Sequence, residues 1–235
     1  MTRLEILNAA RLISVVEGSN VTDAELNLLI EQAMQEINVA RRWRFLEDEV
    51  SITTVVDQQR YALPANFDYA IALVDDDFDD RLQFVSPAEF FNNWGNDTGN
   101  GATMSHAWTI WGKKNDAGTT GTATYVWLHP IPSTADTARY KLYYYRKITS
   151  LAVDADVPEF HKGFHWAIVE WVRWKLYERE EFWDASEKAR QQFEKLLADM
   201  EKWYSNLAQQ HPYMYGEAFH IRFPRDINLR ALDVI

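Results

Sequence analysis

Residues Thr22–Val56, TDAELNLLIEQAMQEINVARRWRFLEDEVSITTVV, contain two incompatible periodicities, and the change between them decides the architecture. Thr22 and Glu25 form the Thr-x-x-Glu pattern of a capping box, in which each side chain satisfies the other's backbone N–H at a helix start. Leu26, Leu29, Ile30, Ala33, Met34, Ile37 and Ala40 then recur at steps of three and four, which puts one apolar stripe on one helix face. Arg41, Arg42 and Arg44 close the helix where cations complement its dipole. From Glu49 the period changes. Val50 to Val56 is rich in β-branched residues, whose restricted side chains favour a strand.

Upstream, Thr2-x-x-Glu5 is a second capping box and predicts a short helix through Val16, broken by Glu17-Gly18-Ser19-Asn20. Downstream, Asp57-Gln58-Gln59 reads as a turn, and Arg60 to Pro64 resumes an extended chain. Ala70–Val74, Arg81–Val85, Ala107–Trp111, Thr122–Leu128 and Ala138–Tyr145 are further strands. Ser86-Pro87-Ala88-Glu89 opens a short helix, with Ser at the N-cap, Pro at the first helical position and Glu at the third. Residues 92–105 and 113–121, rich in Gly, Asn and Thr, read as loops. Helical spacing returns over Phe160–Glu180 and Trp183–Gln209.

The predicted fold class is therefore α+β. Helices from both chain ends (1–48 and 159–210) form a discontinuous bundle, a β-rich insert (49–158) projects from it, and 211–235 is an extended C-terminal arm. Phe219, Ile221 and Phe223 alternate with His220 and Arg222 in that arm, as in a half-buried strand. Tyr213, Tyr215 and Leu229 add to an apolar content that needs a surface to cover it. These six residues are the expected partner-binding positions.

Composition limits the chemistry. The chain has 235 residues, 47% hydrophobic and 14% aromatic, with ten Trp and eleven Tyr, enough for a core and for broad contact surfaces. A net charge of -11 opposes general phosphate binding. With no Cys, disulfides and thiolate metal sites are excluded. No signal peptide or membrane span is read, so synthesis and folding in a cytoplasm are expected.

The candidate motifs each have a plain alternative. His161 and His165 have metal-ligand spacing, but the Glu that follows the first His in a zinc protease is missing; an exposed His161 and a packed His165 are expected. The run Asp75-Asp76-Asp77-Phe78-Asp79-Asp80 lacks the Gly and closing Glu of a calcium loop and reads as a solvated turn. Arg41-Arg42-Trp43-Arg44 reads as a helix end with a packed Trp rather than a nucleic-acid patch. There is no phosphate loop, nucleophile elbow or acid/base carboxylate pair, so no catalytic residue, metal or cofactor is nominated and no enzyme is expected.

The order of several segments resembles the phage head–tail adaptors. Ser51 to Asp68 is similar to the stretch these proteins carry after their first helices. Arg81–Phe90 matches their strand and Ser-Pro-opened helix, and Trp108-Thr-Ile-Trp-Gly112 their Trp-plus-Gly strand. Pro130-Ile-Pro132 with Tyr140–Arg146, then Asp154–His165, match their turn, Tyr-rich strand and aromatic-His helix. The resemblance spans about residues 20 to 205 and points to the tail tubular protein A, or gatekeeper-type, adaptors of short-tailed phages. His161 departs from it, standing where these proteins often have Pro, and so does the segment after 210.

What it implies is a virion neck protein: a homo-oligomeric ring, a dodecamer, docked beneath the portal protein. Such a ring extends the DNA channel without gripping the DNA and carries the tail or nozzle protein. Asp75, Asp76, Asp77, Asp79 and Asp80 are expected to face that channel, where acidic walls repel phosphate. Another neck or tail-completion protein and, from a different class, a carbohydrate-binding module are the alternatives.

Overall fold

In a computed structural model the described residues are 1–16, 21–94, 104–112 and 123–210. They form a mixed α+β fold with five α-helices and two four-stranded sheets. Contacts divide them into two units: Met1–Glu47 with the residues from Arg146 on, and the residues within Asp48–Tyr145.

The helical unit holds α1 (Arg3–Val16), α2 (Asp23–Ala40), α4 (Trp166–Arg179) and α5 (Trp183–Gln210). Both capping boxes form. Thr2 N–H donates to Glu5 Oε2 at 2.9 Å and Thr22 N–H to Glu25 Oε2 at 2.8 Å, with the reciprocal bonds to both Thr hydroxyls. α4 contacts α1, α2 and α5. Every residue from Ala167 to Val172 is buried, so this stretch of α4 is covered all round, whereas α2 buries only its stripe of Leu26, Ile30, Ala33, Met34 and Ile37. Trp43 is buried as expected, donating its indole N–H to the Ile37 carbonyl at 2.6 Å.

α4 begins later than its periodicity predicts. Lys162–Phe164 form a 3-10 turn instead, with the Gly163 N–H donated to His161 Nδ1 at 3.2 Å. That bond gives the backbone a local partner outside the α pattern.

The β unit holds β1 (Glu47–Thr54), β2 (Arg60–Ala62), β3 (Phe67–Asp75), β4 (Asp80–Arg81), β5 (Gln83–Phe84), β6 (Ala107–Ile110), β7 (Tyr125–His129) and β8 (Asp136–Arg146), with α3 (Pro87–Trp94) between β5 and β6. One sheet runs β1-β8-β3-β4, the other β2-β7-β6-β5. Ile52, Tyr61, Leu73, Trp108, Val126, Leu128, Tyr140 and Leu142 from both sheets form one core. α3 buries Phe90 with Val85 and Ala107 in a second cluster, where Trp94 and Trp127 also pack.

The single strand expected over Arg81–Val85 is two strands in two sheets. Leu82, 3% exposed, separates them. It donates its N–H to the Leu73 carbonyl at 2.9 Å and accepts from the Trp108 indole at 3.1 Å. Its side chain enters the core, so the backbone changes partners there.

Candidate interaction surfaces

The acidic run lies on the hairpin between β3 and β4, and its residues differ in surroundings. Asp75 is 1% exposed, and its Oδ2 accepts from both Nε and Nη2 of Arg139 at 3.2 Å. Asp76 accepts a second anchor from β8, the Lys141 ammonium at 3.4 Å, and its backbone N–H reaches the Arg139 carbonyl at 2.8 Å. Burial works against the Arg139 charge, but Tyr140 and the Asp75 carboxylate outweigh it and raise the guanidinium pKa above its ordinary value. The reading of this run as a solvated turn is therefore corrected at Asp75, which is paired inside the β unit. Asp76, Asp77, Asp79 and Asp80 are exposed.

The two histidines do not converge on a metal. His161 is exposed and stacks on Trp203 at 4.5 Å between ring centroids. His165 is 1% exposed, with Nε2 2.9 Å from the Phe160 carbonyl and Nδ1 2.7 Å from the Met1 amino nitrogen. These partners assign the proton to Nε2 and leave Nδ1 as the acceptor. Burial holds the imidazole below its ordinary pKa. No group of three metal-ligating side chains gathers among the described residues. Arg41, in the basic cluster, lies 3.2 Å from Glu201 and is thereby partly neutralised.

The aromatic surplus is divided between core and surface. Phe90, Phe91, Trp94, Trp111 and Trp127 pack edge to face, with the Arg60 guanidinium 4.0 Å above the Trp127 ring. That packing interlocks the rings instead of laying them out as a flat stacking platform. Among the described residues, exposed aromatic side chains that the sequence reading missed stand at the α4–α5 turn and on β5. Phe182 and Trp183, at the turn between α4 and α5, are 49% and 64% exposed. Phe84 is 52% exposed and walls a groove with Phe67, Ile71, Trp108 and Ile110. Neither has a sequence motif, and only their position on short or turning elements sets them apart from core aromatics.

The proposed arm residues Tyr213, Tyr215, Phe219, Ile221, Phe223 and Leu229 lie outside the described residues. Among the described residues no helix is long and apolar enough to cross a membrane.

No curated protein matches this chain. The model of the SU10 adaptor protein family matches residues 1–216, most of the sequence including the whole helix–β–helix order. The chain belongs to the SU10 adaptor protein family and is thus a structural adaptor of the phage head–tail junction.

Proposed function

We propose that this chain is a ring-forming neck subunit of the tail tubular or gatekeeper kind, placed between portal and tail and assembled as a dodecamer around the DNA channel. The family match over residues 1–216 carries the reading. Residues 1–48 and 159–210 serve as a helical bundle, 49–158 as its β-rich insert, and 211–235 as an arm that docks on a neighbour or on the portal. A subunit of this kind needs apolar contact surfaces, and the exposed Phe84, Phe182 and Trp183 offer them. Asp76, Asp77, Asp79 and Asp80 supply negative charge to a lumen that DNA crosses without being held. Asp75 keeps their hairpin in place.

The test is the mass of the purified chain, alone and mixed with its portal protein, together with an image of the neck. A defined ring seated on the portal with the β3–β4 hairpin lining the channel is the expected result. A chain that stays monomeric with the portal, or a hairpin on the outer rim, would overturn the corresponding part.

A further inference from the structure

β3 is nine residues long, but β4 is only two, paired opposite Val74 and Asp75. Beyond the Leu82–Leu73 bond, no described strand is hydrogen-bonded to Phe67–Ala72 on that side. The Arg81 guanidinium reaches back there and donates to the Ile71 carbonyl at 3.2 Å. Beside this length of β3 runs a groove of about 350 Å³, lined by Phe67, Asp68, Ile71, Phe84, Trp108 and Ile110 among others. Trp108 is its buried floor, and the exposed Phe84 ring stands edge-on to it at 5.0 Å.

We infer that this groove receives residues 219–223 of a second copy of the chain. Phe219-His220-Ile221-Arg222-Phe223 alternates apolar and polar residues, a pattern that, in an extended strand bound to the groove, would put the three apolar side chains on one face at a spacing of roughly 6.6 Å. Such a row fits a narrow apolar trough bounded by a strand and an aromatic wall. Charge is compatible with the same pairing: Arg222 stands within the apolar row, and Asp68 lines the groove alongside Arg81. Pro224, which has no N–H to donate, would limit such a strand pairing to the residues before it. Groove and arm are different surfaces, so each copy donates one and accepts the other. Head-to-tail contacts of this type close into a ring when the rotation between neighbours divides a full turn. The inference rests on the ring reading only for its choice of a second copy as donor.

The experiment uses the full chain carrying Phe219→Ser, Ile221→Ser and Phe223→Ser, which leaves the groove open, and a labelled peptide of residues 216–227. The peptide is expected to bind this variant saturably, and at least about tenfold more weakly when Phe84→Glu is added, with melting unchanged because Phe84 is half exposed. The wild-type chain should self-associate, and the triple substitution should abolish that. No peptide binding, or equal binding to the Phe84→Glu chain, overturns the site. A monomeric wild-type chain whose groove is closed to the peptide shows the arm in its own groove and overturns the second-copy donor. If the peptide binds as expected but the chain never joins a portal, the neck reading fails and this one stands; the reverse result sinks only the groove.

Discussion

Asp75 and Arg139, 64 positions apart in sequence, meet at 3.2 Å inside the β unit, with side chains 1% and 9% exposed. Removing one partner strands a buried charge. Asp75→Ala should cost about 3–5 kcal/mol, whereas replacing both by apolar residues of similar size should recover most of it. Urea denaturation of the two single variants and the double variant measures this. Additive losses would show that the pair is not coupled.

Stability should depend on pH through His165. Burial lowers its folded-state pKa below the unfolded value of about 6.5, so the unfolded chain binds the extra proton first. The contribution is complete above that unfolded value and is lost as pH falls below it toward the folded pKa. Urea midpoints of wild type should decline over that acidic window. His165→Gln should be less stable near neutrality but show a shallower decline; an unchanged slope would remove His165 as the cause.

Phe90, fully buried against Trp94 and Phe91, and Trp111, 53% exposed, separate the two uses of aromatic residues. Phe90→Ala should destabilise by about 3–5 kcal/mol. Trp111→Ala should cost much less, since it empties no enclosed cavity. Thermal melts of the two variants make the comparison.

Trp183→Ser should change stability by no more than about 1 kcal/mol, because its side chain stands 64% exposed, and adding Phe182→Ser should cost somewhat more through its contact with Tyr177. If the α4–α5 turn is a contact surface, the double variant should assemble with itself or its portal more weakly. Native mass measurement reads assembly and a melting curve reads stability. Unchanged assembly would free this turn of any docking role.

Much of the element order was legible because its signals are local. Thr2, Thr22 and Ser86 announce three helix starts within four residues of chain, and the Ile30–Met34–Ile37 spacing announces a buried face. What escaped depends on distant partners. Nothing near Asp75 indicates that Arg139 will neutralise it, so a run of aspartates read as uniformly solvated. Arg81–Val85 alternates like one strand, and only the competing bonds to Leu73 and Trp108 divide it. The late start of α4 follows from the bond between Gly163 and His161, which periodicity does not see. Exposed Phe84 and Trp183 look no different in sequence from buried Phe90 and Trp108.

Leu82 has a mechanical consequence. Its N–H is bonded into one sheet through Leu73 and its carbonyl to the other through Trp108. Sliding the sheets past each other would strain both bonds at a residue shielded from the water that would replace them. A pull applied at either sheet is therefore shared by the other, which stiffens the β unit against shear.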